Sequence, residues 1–192
     1  MASREGDGEG EGLLTLEPLL EAVQDGVEAA GWALSGLQKT TSLEFEGKWA
    51  GESTRSAYLF FHRPDLPEAV EVDVFLDETS QGLRGNLALV VDGPKLSEMG
   101  RVTSLLDRLA VAARGTLPEG YRTPISLRLS LPDSDARGPS AALQLRFKLQ
   151  LPRSAVEAGG SAISALSTAA VAAFERLLER PEVAELLPPV VE

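Results

Sequence analysis

The chain has 192 residues, of which 43% are apolar and 24% charged, enough apolar material to bury a core and too much for a disordered chain. Its lack of cysteine and its single histidine, His62, exclude disulfides, thiolate catalysis, cysteine-ligated metals and a two-histidine acid–base pair. A formal charge of −11 opposes the phosphate backbone of nucleic acids.

Residues 1–14, in which acidic residues alternate with glycine over 5–12, read as a flexible acidic tail without the apolar segment of a secretory signal, so a cytoplasmic protein with no membrane segment is expected. From Thr15 the pattern turns helical, with Leu16, Leu20, Val23, Val27, Ala30, Leu34 and Leu37 spaced by three or four. That stripe predicts one helix with Thr15 as its N-cap, weakened at Gly26, Gly31 and Gly36 by about 1 kcal/mol each relative to alanine.

Period-two stretches follow. Leu43, Phe45 and Trp49 alternate with Glu44, Glu46 and Lys48, and Val70, Val72, Val74 and Leu76 alternate with Glu71, Asp73 and Asp77. Between them "SAYLFFH", residues 56–62, is apolar on both faces, which suits a strand covered on two sides or one that faces a partner. A fourth strand places Leu83, Leu87, Leu89 and Val91 in phase, with Gly85 suggesting a bulge. Leu96, Met99, Val102, Leu105, Leu106 and Leu109 then have helical spacing, ending at Gly115 as a C′ residue. Two more strands carry Ile125, Leu127, Leu129 and Leu131, then Leu143, Leu145, Phe147, Leu149 and Leu151. Ser154 and Glu157 have capping-box spacing, Gly159 and Gly160 delay the regular helix, and Ile163, Leu166, Ala170, Phe174 and Leu177 or Leu178 form its buried side.

The expected fold is therefore α+β, in the order α-β-β-β-β-α-β-β-α, with an antiparallel sheet of about six strands and helices mainly on one face. One domain over 15–180 is expected, followed by a short turn and tail over 181–192.

The motifs for chemistry are sparse. His62 ends its strand before the proline-punctuated turn "RPDLPE", and no nucleophile motif accompanies it, so a strand-end histidine is the simpler reading than a general base. "VDGPKLSEMG" lacks the spacing of a phosphate loop, and "EGKWAGEST" reads as a hairpin turn. Glu71 and Asp73 stand about 7 Å apart on one strand face, a separation two glycosidase carboxylates can have, but alternating acids on a solvated face are ordinary. No cofactor and no metal centre are expected.

Charge is divided along the chain: the early strands carry Glu44, Glu46, Glu71, Asp73 and Asp77, and the late ones Arg128, Arg146 and Lys148. Neighbouring rows would form cross-strand ion pairs, whereas separated rows would give a bipolar face able to dock a partner or a second copy. The element order and acidity resemble those of small secretion-chaperone folds, α+β dimers that hold an extended client, although this chain is longer and has an extra strand.

Three functional readings follow. The leading one is a non-catalytic protein-binding, adaptor or chaperone-like protein that acts through its sheet face, alone or as a homodimer, with Trp49, Tyr58, Phe60, His62, Arg128, Arg146 and Lys148 as interaction residues. The second is a carrier for a small apolar ligand held between sheet and helices, although the serine and alanine of "SAISALSTAAVAAF" favour tight packing there. The third is a hydrolase or lyase that uses His62 with Glu71, Asp73 or Asp77.

Overall fold

A computed structural model describes residues 15–41, 55–79, 81–92, 99–117, 125–130, 142–185 and 187. The expected tail over 1–14 and the expected strand through Leu43, Phe45 and Trp49 lie outside these residues.

Helix α1, Leu16–Ala29, buries Leu16, Leu19, Leu20, Val23 and Val27 along one stripe. It stops much earlier than the apolar spacing predicts. Gly31 takes a φ of 87°, its N–H bonds the carbonyl of Glu28 at 2.9 Å, and the Trp32 N–H reaches the carbonyl of Val27 at 3.4 Å. This is a Schellman end, which needs a left-handed residue where glycine stands. Leu34 and Leu37, expected on the helix, therefore fall in strand β1, Ala33–Thr41, where Leu37 is exposed. Thr15 occupies the N-cap with extended backbone but makes no side-chain capping bond.

Three strands follow: β2 (Arg55–His62), β3 (Val70–Thr79) and β4 (Gly82–Asp92). After α2 (Met99–Thr116) come β5 (Ile125–Ser130), β6 (Ala142–Gln150) and the helices α3 (Arg153–Glu157), α4 (Gly160–Leu178) and α5 (Pro181–Ala184). The molecule is an α+β protein with an antiparallel sheet, whose strand order is β1-β2-β3-β4-β6-β5.

Alternation then decides which side chains face the helices. Leu59 and Phe61 of β2, Val72, Val74 and Leu76 of β3, Leu87, Leu89 and Val91 of β4, and Leu145 and Phe147 of β6 join one buried cluster with α1, α4 and α5. Helix α4 contributes Ile163, Ala170, Val171, Phe174 and Leu177, and α5 adds Val183. By length and composition α4 could also cross a membrane, and here it packs along α1. At that crossing a Cβ on Gly26 would stand 2.3 Å from the backbone oxygen of Ser164, and Thr168 Oγ1 donates to the Gly26 carbonyl at 2.8 Å. The glycine read as a weakness of the helix is the point of its closest contact.

Three local expectations are corrected. The β3–β4 register runs unbroken past Gly85; the irregularity lies in β1 between Leu34 and Gly36, where Ser35 Oγ donates to the Phe60 carbonyl at 3.0 Å. Gly85 instead leaves room for Leu76, whose Cδ2 would lie 2.7 Å from an added Cβ. Helix α2 continues through Gly115, since the Leu117 N–H bonds the Ala113 carbonyl at 2.8 Å. No capping box forms at Ser154: α3 starts one residue earlier, after extended Pro152, and Glu157 accepts from Arg153 Nε at 2.8 Å.

Candidate functional site

The side chains of the other phase form the second face of the sheet, opposite the helices. Cross-strand register arranges them in rows. One row runs Gln38, Tyr58, Phe75, Asn86 and Gln150, and the next runs Gly36, Phe60, Asp73, Ala88 and Lys148. A third contains Glu71, Val90 and Arg146, and on the far side Ser56, Asp77 and Arg84 form a fourth. Rows on one face are two residues apart along a strand, about 6.8 Å.

The charged groups are spaced by this register. Asp73 on β3 is bonded by the guanidinium of Arg146 on β6 diagonally across β4, where Ala88 stands beside Asp73 and Val90 beside Arg146, both fully buried. Asp77, only 4% exposed, accepts from Ser56 Oγ and Arg84 Nε, both at 2.8 Å. The acidic and basic rows thus meet across the sheet at Asp73 and Arg146. Lys148 makes neither an ion pair nor a hydrogen bond among the described residues.

Between the first two rows lies a basin of about 350 Å³, lined by Tyr58, Phe60, Asp73, Val74, Phe75, Asn86, Arg146 and Lys148. The rings of Tyr58 and Phe75 stand 4.9 Å apart at 42°, a tilted contact, and Tyr58 keeps 38% of its surface exposed. Asn86 is only 8% exposed, and its side chain makes no hydrogen bond among the described residues. A larger hollow of about 770 Å³ lies between the β3–β4 turn and the α3–α4 junction. Its charged side chains are already matched: Arg84 with Asp77, Arg153 with Glu157, and Glu78 with Arg55. Of these two hollows, the smaller combines aromatic walls with polar groups that have no partner among the described residues.

Of the expected interaction residues, the structure brings Tyr58, Phe60, Arg146 and Lys148 to this basin. Trp49 lies outside the described residues. Arg128 stands on β5 in register with Gln144, two positions before Arg146. His62 is exposed at the end of β2, opposite Ala33 in register, and does not line the basin. Among the described residues no hydrogen bond or ion pair joins it to Glu71, Asp73 or Asp77, and Asp73 and Asp77 are held by arginines.

The turn after His62 is held in place instead. Arg63 bonds both carboxylate oxygens of Asp65, at 2.6 and 2.8 Å, and also reaches Glu175 of α4, which accepts from Trp32 Nε1 at 3.0 Å. The Arg63 hydrogen bond holds the Asp65 carboxyl below its ordinary range, and the same bond raises the Arg63 guanidinium. These contacts fasten the β2–β3 connection to α4 and fix the end of the strand that carries Tyr58 and Phe60.

Sequence reasoning missed Phe75, Asn86 and Ala88. A signal for them exists in the strand phase: Phe75 stands in phase with Glu71, Asp73 and Asp77, and Ala88 and Val90 interrupt what should be a polar face. Among the described residues no three acidic or histidine side chains are grouped to hold a metal ion. No family model matches the chain, and neither a curated protein nor a solved structure matches it.

Proposed function

We propose that the chain is a non-catalytic protein-binding protein that acts through the open face of its sheet. The observation that carries this reading is the basin, where three aromatic rings that the core does not absorb border a lysine and a largely buried asparagine, neither with a partner among the described residues. Aromatic residues at the centre of a contact supply much of its energy because they bury large area with few rotors. Around them the Asp73–Arg146 and Asp77–Arg84 pairs provide a neutralised polar surround, the arrangement of a recognition patch with a polar rim.

This function needs no reacting group. His62 does not line the basin, and the carboxylates nearest the rings are engaged in ion pairs. The experiment is a cross-linking comparison: a photoreactive residue at Gln38, exposed on β1 in the Tyr58 row, should capture a protein partner or a second copy, and Phe60→Ser should reduce that capture at least about tenfold, as loss of a central aromatic anchor does. Equal capture by a probe at exposed Val111 on α2, unaffected by Phe60→Ser, would move the binding surface away from the sheet.

A further inference from the structure

We infer that the basin recognises a carboxylate joined to an aromatic ring, presented at the end of a segment of a partner protein. This rests on the open-face reading and adds the chemistry of the occupant.

Asn86 is the first ground. More than nine-tenths of its surface is buried, its side chain has no hydrogen bond among the described residues, and it lines the basin. Its amide is not among the fully enclosed unsatisfied groups, so what surface it keeps opens into the basin, and an occupant that covers it must offer one donor and one acceptor, as a peptide group does.

Lys148 is the second ground. Arg84 and Arg146 are neutralised by Asp77 and Asp73, which leaves Lys148 as the cation of the basin without a partner among the described residues. It stands directly beside Ala88 and diagonally from Asn86, which pairs with Gln150. Cross-strand geometry puts such diagonal positions about 7–8 Å apart, so one residue can place its carboxylate at the lysine and its amide at the asparagine.

The rings supply the third. Tyr58 and Phe75 already meet at a tilted angle, and Phe60 lies one row away, so a further ring can join them edge-to-face or offset. Tyr58 remains 38% exposed, whereas sites for free small molecules bury most of the ligand. An occupant seated here gains from the chain that continues beyond the basin. The net charge of −11 repels a strongly acidic partner at a distance, which favours a lone carboxylate over an acidic run.

The test is an amide NMR titration of the full chain with four probes: N-acetyl-phenylalanine, its primary amide, N-acetyl-alanine, and an acetylated hexapeptide that ends in phenylalanine. N-acetyl-phenylalanine and the hexapeptide should shift the Asn86 side-chain amide, with the hexapeptide at least about threefold tighter, and the primary amide and N-acetyl-alanine should bind at least about fivefold more weakly than N-acetyl-phenylalanine. Lys148→Gln should erase the preference for acid over amide, and Lys148→Arg should keep it. Equal affinity for acid and amide overturns the carboxylate, and equal affinity for hexapeptide and free N-acetyl-phenylalanine overturns the partner segment in favour of a small molecule. Asn86 shifts that grow with protein concentration alone identify a second copy as the occupant and overturn the inference. If no probe moves Asn86 while Phe60→Ser still reduces cross-linking from Gln38, this inference fails and the open-face reading stands.

Discussion

Replacing Gly26 with alanine should destabilise the protein although the same change strengthens an isolated helix by about 1 kcal/mol. The added methyl would lie 2.3 Å from the Ser164 oxygen and 2.8 Å from Ser167 Cβ, so α1 and α4 would have to part by roughly 1 Å. Overpacking of this kind costs about 1–3 kcal/mol, and stretching the Thr168 bond to the Gly26 carbonyl, 2.8 Å long, removes about 1 kcal/mol more. The net loss is about 2 kcal/mol, which for a chain of this size lowers the melting temperature by about 4–8 °C. Thermal unfolding followed by circular dichroism reads it directly. Gly115→Ala is the control, because an added methyl there meets nothing within 4 Å and should raise stability by up to about 1 kcal/mol. A Gly26→Ala protein as stable as the wild type would refute the close crossing of α1 and α4.

Other expectations follow from the division of β2 between two faces. Phe61 is fully buried in the core, so Phe61→Ala should cost about 3–5 kcal/mol, whereas half-buried Phe60 should lose about 1 kcal/mol and act mainly on binding; equal losses in urea unfolding would contradict the assignment of faces. Asp77→Ala should cost about 1–2 kcal/mol through its lost bonds to Ser56 and Arg84 while Arg84 stays solvated; a cost above about 4 kcal/mol would mean that the carboxylate supports more than these two groups. The Lys39 hydrogen bond, with Arg55 nearby, holds the Glu17 carboxyl below its ordinary range. A lowered folded value means stability that is present above the unfolded carboxylate range and is lost as pH falls through the folded value. Glu17→Gln should therefore be less stable at neutral pH, by under about 0.5 kcal/mol because all three groups are well exposed, and match the wild type in strong acid; a gap that persists in acid would place its origin elsewhere.

Much of the fold was legible because strand alternation is a local signal. Val70, Val72 and Val74 could only face one side together, and the helical spacing of Ile163, Ala170 and Phe174 likewise named a buried face. The first helix was misread because Leu34 and Leu37 continue its three-and-four spacing by coincidence, while the stop lies in one backbone angle at Gly31. Apolar periodicity cannot report a left-handed residue; the pair Gly31–Trp32 could have suggested it.

The candidate site was half legible. Tyr58, Phe60, Arg146 and Lys148 were named from strand phase and charge, but their meeting depends on β6 lying next to β4, which hydropathy does not encode. Asn86 was invisible for the same reason: a lone asparagine in a strand looks ordinary until its burial, and its lack of a partner among the described residues, are known. The diagonal reach of Arg146 to Asp73 across β4 likewise requires the register of three strands.

The open-face reading is tested most directly by affinity isolation from an extract of the native host, with wild-type protein compared against Tyr58→Ser/Phe60→Ser and against Val111→Ser, each checked for an intact melting transition. A protein enriched by the wild type should fall at least about tenfold with the double variant and stay unchanged with Val111→Ser, which removes an exposed apolar side chain on α2. Undiminished recovery of the same protein by the folded double variant, or its loss with Val111→Ser alone, would contradict a binding surface on the open face of the sheet.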